Sequence, residues 1–279
     1  MSSNDHGFSA LKLQIERGVA WVTIDHPPIN LFDSVLIQEM DRMGRALASD
    51  DSVRVVVLQS ANPDFFIAHA DVTLIQQLPK QVPTKPTGLG WFHQMVDRFR
   101  TMPKATIGKI EGRARGGGSE LLLSLDMRFP AIGRAILSQP EVAVGIIPGG
   151  SGTQRLPRLI GRSRALEVIL GCQDFSAELA ERYGYINRAL PAEELSPFVE
   201  RLAYRIASFP ASAIALAKAA VDAAERPTFE GLLEEAHCFN QTLATREAQE
   251  RMAAFMAAGG QTYAVELAGI GAEASSDVR

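Results

Sequence analysis

An α/β core followed by a helical C-terminal region is the fold class this sequence predicts, and three observations predict it. Residues 11–24 alternate apolar and polar side chains in the manner of half-buried strands. Residues 53–58 form a continuous, valine-rich apolar run, the pattern of a strand covered on both faces. Beyond about Leu195 the composition turns to alanine, glutamate and leucine, all good helix formers.

The elements follow in order. Residues 11–15 and 19–24, with Glu16-Arg17-Gly18 between them, read as a hairpin. His26-Pro27-Pro28 ends it, because proline cannot donate to a ladder. The period then becomes helical, with Val35, Leu36, Met40, Met43 and Leu47 on one stripe and Asp33 as N-cap. Residues 78–90 hold three prolines, two glycines and little periodicity, the composition of an irregular loop that borders a ligand. A helix at 91–102, a strand at 105–110 and a helix opening at 119–125 come next. A short extended piece at 135–137 leads to a loop ending in Pro148-Gly149-Gly150-Ser151-Gly152. Helices are expected at 163–170, capped by Ser163, and at 177–183. Residues 197–258 read as helix broken at Pro210 and Pro227, and 272–279 as a frayed end.

Composition narrows the classes of function. With 279 residues, 46% hydrophobic and 22% charged, the chain can bury one sizeable core and has the balance of a soluble globular protein. A net charge of -4 offers no general field for nucleic acid or an anionic membrane. Cys172 and Cys238 are far apart, which excludes a disulfide framework and a thiolate zinc site and fits a reducing, cytoplasmic location. Residues 1–10 lack signal-peptide layout, and no apolar run approaches the length needed to span a bilayer. His6, His26, His69, His93 and His237 show no metalloprotease spacing, so no metal site is expected.

The segment from Ile107 to Glu120 is the richest in chemistry: a strand runs through Gly116-Gly117-Gly118 into a helix. Glycines allow close backbone approach, and the first amides of a helix lack partners, so such a turn can hold an anion or a developing oxyanion. The pattern equally fits a tight turn in which Glu120 complements the helix dipole. No dinucleotide or P-loop glycine pattern is present, and no nucleophile elbow is completed, because Thr153 stands where the last glycine belongs. Glu141, taken alone, is a loop acid.

Three ordered motifs carry a resemblance. They are Phe66-Ile67-Ala68-His69-Ala70-Asp71-Val72, then Gly116-Gly117-Gly118-Ser119-Glu120 with Gln139-Pro140-Glu141, then Pro148-Gly149 through Gly152-Thr153-Gln154-Arg155-Leu156. Together they resemble the crotonase (enoyl-CoA hydratase/isomerase) superfamily, and its hydratases in particular. The similarity runs from about Leu11 to Phe255, where Glu250-Arg251-Met252-Ala253-Ala254-Phe255 echoes a C-terminal motif. The resemblance implies a spiral of repeated ββα units at 1–195 holding the active site, and a helical oligomerisation region at 196–279 that builds a trimer or hexamer.

Position by position, it also implies site residues. The amides of Ala70 and Gly117 would form an oxyanion hole for a thioester carbonyl. Glu120 would activate water and Glu141 would protonate the α-carbon. Ala68, Asp71, Val72 and Gly149 would contact substrate. The implied reaction is reversible addition of water to a 2-trans-enoyl-CoA, with coenzyme A carried by the substrate and no further cofactor. Isomerisation, hydratase-lyase chemistry on an aromatic or branched acid, and non-catalytic acyl-CoA binding are the alternatives; both acids being retained favours hydration. The sequence departs from the family pattern at His69, where glycine is usual, at Thr73 for a CoA-contacting lysine, at Leu137-Ser138 for Phe-Gly, and at Arg251 for glycine. Arg98, Arg100, Lys104, Lys109, Arg113 and Arg115 read mainly as a solvated basic face, some of it able to serve CoA phosphates.

Overall fold

A computed structural model describes residues 7–223 and 228–268. Most of the N-terminal segment read for leader character, the break at Pro227 and the frayed end lie outside the described residues. The hairpin forms as expected, with β1 (Leu11–Glu16) antiparallel to β2 (Val19–Ile24). Arg17 and Gly18 turn it with φ of 48° and 79°, the positive pair that a tight two-residue hairpin needs to match strand twist. Asp33 caps α1 (Ser34–Ser49) by accepting from Leu36 N–H at 2.9 Å. Leu36, Met40, Met43 and Leu47 are buried, whereas Val35 is 41% exposed because it lies one residue off that stripe.

Next come β3 (Val55–Ser60), β4 (Phe65–Ile67), α2 (Val72–Gln76) and α3 (Trp91–Thr101). They are followed by β5 (Ala105–Ile110), β6 (Arg113–Arg115) and α4 (Gly117–Leu123). The third group is β7 (Met127–Pro130), β8 (Ile136–Ser138), a 3-10 turn (Glu141–Val144), α5 (Gly152–Ile160) and α6 (Arg162–Gly171). One sheet has the order β1-β2-β3-β5-β7. The other has the order β4-β6-β8-β9, with β9 at Phe175–Ser176. In each group the first strand joins the first sheet and the second strand joins the other, and helices follow. The repeated ββα step therefore winds the chain into a spiral.

The valine run shows how the first sheet is covered. Val55 and Val57 pack with Leu195, Val199 and Ala203 of α8 (Ala192–Ala207), while Val56 and Leu58 face the cluster of Met40, Met43 and Phe99. Alternate side chains of a strand point to opposite faces, so an all-apolar strand needs a cover on each. α7 (Ala177–Tyr183) precedes α8. The expected division at 195/196 thus falls inside a helix rather than at a linker.

Two local expectations differ. Ser163 does not cap α6; the N-cap is Gly161, whose φ of 82° turns the chain sharply out of α5. Pro197 does not open a helix but lies within α8, which begins at Ala192 after Pro191. Pro210 does separate α8 from α9 (Ala211–Ala223). Then α10 (Thr228–Leu243), α11 (Arg246–Ala257) and α12 (Tyr263–Ala268) fold back over the spiral.

Candidate active site

The glycine turn sets one side of the site. Gly116 adopts φ 49° and ψ −124°, a conformation closed to residues with a Cβ, and swings the chain from β6 into α4. Its N–H donates to Ser138 O at 3.1 Å. Gly117 then starts the helix, where amides have no partner four residues back.

Ala70 sets the other side. It forms a single parallel bridge with Phe32: Phe32 N–H donates to His69 O at 2.9 Å, and Asp71 N–H donates to Phe32 O at 3.0 Å. Those two bonds use the groups flanking Ala70, so its own N–H points away from Phe32. Among the described residues neither Ala70 N–H nor Gly117 N–H donates to a backbone carbonyl. A Cβ built on Gly117 would lie 3.4 Å from Ala70 Cβ, which places the two segments in van der Waals contact.

Glu120, buried on α4, accepts at Oε1 from Gly150 N–H and Gly152 N–H, both at 2.8 Å. The loop can approach this closely only as glycine: a Cβ on Gly150 would fall 2.3 Å from the Phe92 ring and 2.5 Å from Glu120 Oε2. Glu141 opens the 3-10 turn, and its Oε1 lies 3.0 Å from where a Cβ on Gly116 would be. Gln139, with its amide nitrogen turned to Glu141, donates to both carboxylate oxygens at 3.2 Å and accepts from Ser119 Oγ at 3.3 Å. Tyr185 OH bonds Ser119 in turn. Burial pushes the Tyr185 phenol far above its ordinary value, outweighing its hydrogen bond to Ser119, so it stays a donor. A chain of Tyr185, Ser119 and Gln139 thus ends on Glu141.

Both glutamates line one cavity of about 290 Å³, together with Ala70, Asp71, Val72, Gly117 and Gly149. Ala68 does not appear among the described lining residues. Its N–H donates to Ile29 O at 3.2 Å and its side chain is buried with Ile29 and Phe65, behind the cavity wall. Seven of the eight expected residues therefore meet, and Ala68 stands apart.

Sequence reasoning missed much of the wall. Phe32 and Phe92 supply one side, beside Trp91, which directly follows the loop expected to border a ligand; Ala236, Phe239 and Asn240 of α10 and Phe255 of α11 supply another. Of the loop at 78–90 only its ends, Leu78 and Gly90, reach the cavity. The helical region thus contributes to the pocket as well as following it.

The family model described as enoyl-CoA hydratase/isomerase matches residues 14–263. The chain belongs to that family. Its relatives include the short-chain-enoyl-CoA hydratase of Clostridium acetobutylicum, 32% identical over 88% of this chain and 93% of that protein. The crotonyl-CoA hydratase of Syntrophomonas wolfei is 33% identical over 88% of this chain and 94% of its own. A solved structure from Streptomyces avermitilis, 40% identical, superposes with a TM-score of 0.86 over 93% of this chain and 95% of that one. The fold is the crotonase type.

His69 is buried; its Nε2 lies 2.9 Å from Glu266 Oε1 of α12 and its ring packs edge-on to Phe255. It therefore ties the C-terminal segment down. Thr73 is exposed beside Asp71, which caps α2. Arg251 is an exposed partner of Glu247 at 2.9 Å.

The basic stretch is only partly a solvated face, and none of its six residues lines the cavity. Arg98 pairs with Asp41, Arg100 with Asp222, Lys109 with Glu111 and Arg115 with Asp174, and buried Lys104 donates to Asp50 O. These cations are spent on internal carboxylates and carbonyls. Among the described residues no cluster of His, Cys, Asp and Glu could hold a metal ion. No described helix is long and apolar enough to cross a membrane.

Proposed function

We propose that this chain is an enoyl-CoA hydratase, adding water reversibly across the double bond of a 2-trans-enoyl-CoA. The observation that carries the reading is the meeting of the Ala70 and Gly117 backbones with Glu120 and Glu141 around one apolar cavity. In this reading the thioester C=O accepts from the Ala70 and Gly117 N–H groups. Glu120 takes a proton from water as the water oxygen bonds the β-carbon. The π pair moves onto the α-carbon and carbonyl oxygen as an enolate, which the two amides stabilise. Loss of one such donor typically costs about 3–4 kcal/mol of transition-state stabilisation. Glu141 then donates a proton to the α-carbon, giving the 3-hydroxyacyl thioester. Two acids with opposite duties need different surroundings, and here one is held by two backbone amides while the other receives a side-chain amide.

The same reading extends to assembly and compartment. The spiral carries most of the site, and the helical region serves oligomerisation as well as the pocket wall. Phe209, Leu216 and Val221, around α9, are 44%, 70% and 67% exposed, apolar side chains that a partner copy in a trimer or hexamer would cover. Asp71, Val72 and Gly149 contact substrate, coenzyme A enters and leaves with the acyl group, and the enzyme acts in the cytoplasm without nucleic acid or membrane partners.

Crotonyl-CoA tests the reading. Ultraviolet absorbance of the conjugated enoyl thioester falls as water adds, and chromatography yields 3-hydroxybutyryl-CoA. Glu141→Gln should cut turnover severely while CoA binding persists. A shifted double bond without hydration would point to isomerisation, and binding without turnover of any acyl-CoA would sink the enzymatic reading.

A further inference from the structure

The hydrogen bonds around Ala70 reach far along the chain. Ala70 O accepts from the His69 ring, since a carbonyl cannot donate, and Nδ1 lies 2.8 Å away. The other ring nitrogen, Nε2, faces Glu266 Oε1 at 2.9 Å, and the same Oε1 accepts from Gln261 N–H at 2.8 Å. Glu266 is wholly buried. Burial opposes its ionisation, but the His69 bond and charge, the Gln261 amide and Arg115 together hold its carboxyl below the ordinary glutamate range. The buried ring of His69 thus bridges the Ala70 carbonyl and the Glu266 side chain.

More of the segment closes on the same strand. Gln261 accepts from Val72 N–H through Oε1 and donates to Asp71 Oδ1 through Nε2 at 3.1 Å. Arg115 donates to Glu266 O at 2.6 Å, and Tyr263 OH bonds Asp64 just before β4. The peptide before Ala70 is held by Phe32 and the one after it by His69, so both planes flanking the Ala70 amide are fixed.

We propose that residues 261–267 form a positioning clasp for the oxyanion segment, with His69 and Glu266 as its central pair. The clasp aims the Ala70 N–H; it does not touch the reacting atoms. This rests on the hydratase reading for its kinetic consequence but not for its structural one. A glycine at position 69 would have no side chain to join Ala70 to the C-terminal segment. This chain instead holds the alignment from a residue 197 positions away.

The test uses the full chain with His69→Ala, Glu266→Ala and the double variant. Misalignment of a reacting group by about 1 Å costs on the order of a hundredfold, so partial release should lower kcat on crotonyl-CoA about tenfold in each single variant. KM should stay nearly constant in Glu266→Ala, because Glu266 does not line the cavity, whereas His69 does. The double variant should lose no more than either single one, as expected of two halves of one contact. Hydrogen exchange should accelerate at residues 68–73 and stay unchanged in β1 and β2. Wild-type kcat in the single variants, multiplied losses in the double one, or exchange that quickens throughout the molecule would overturn the clasp. If the wild-type protein fails to hydrate crotonyl-CoA, the hydratase reading falls alone, and the exchange comparison still decides the clasp.

Discussion

Glu120 serves two purposes that a pair of substitutions separates. Its Oε1 satisfies the N–H groups of Gly150 and Gly152, each at 2.8 Å in a buried setting. Glu120→Gln keeps a carbonyl oxygen for both donors and removes the base. A positioned general base contributes roughly 10²- to 10⁴-fold in rate, or about 3–5 kcal/mol of barrier. Turnover should fall by that factor while the guanidinium midpoint barely moves. Glu120→Ala removes the acceptor too and strands two buried donors at about 1–3 kcal/mol each, so about 2–6 kcal/mol of stability should go with the activity. Against a typical whole-domain stability of about 5–15 kcal/mol, that loss is easily seen in the midpoint. The assays are crotonyl-CoA hydration and equilibrium unfolding. Equal destabilisation by Gln and Ala would refute the idea that the two amides are held through Oε1. Undiminished turnover in the Gln variant would refute the role of base.

Other expectations can be checked alongside. Tyr185→Phe deletes the donor to Ser119 at the far end of the chain of bonds to Glu141; it should cost about 1–3 kcal/mol of stability and lower kcat with KM held, read by unfolding and steady-state kinetics. Glu39 accepts from Ser9 N–H, Ser9 Oγ and Ala10 N–H at 2.8, 2.9 and 2.8 Å. Burial works against its ionisation, yet these bonds and Arg42 hold it below the ordinary glutamate value. A depressed folded value stabilises the protein above the unfolded range and is lost as pH falls through it, so Glu39→Gln should flatten the acid side of a stability–pH curve while neutral turnover persists. Leu216→Glu on α9 should weaken self-association in sedimentation, because it replaces a 70% exposed apolar side chain with a charge.

What could be read from the sequence was local. Asp33 caps α1 because an aspartate before an apolar stripe meets an unpaired amide three residues on, with no tertiary help. Ser163 offered the same signal and failed, since Gly161 at φ 82° starts α6 before Ser163 can act. Glu120 and Glu141 were legible through their motifs, but their meeting was not, because it depends on β6 and β8 pairing in one sheet. Tyr185 and Glu266 gave no local sign. Their partners Ser119 and His69 lie 66 and 197 positions away, and only the spiral brings them near.

The placement of Phe239 and Phe255 across from Glu120 has a consequence for biosynthesis. Both are translated more than a hundred residues after that carboxylate. While they remain in the ribosome, the spiral has its acids and its glycine turn but one side of its apolar chamber is missing. The pocket of the emerging protein therefore stays unwalled until α10 and α11 arrive, and a chain interrupted between Pro210 and Phe239 would leave an open trough where the finished protein has a room.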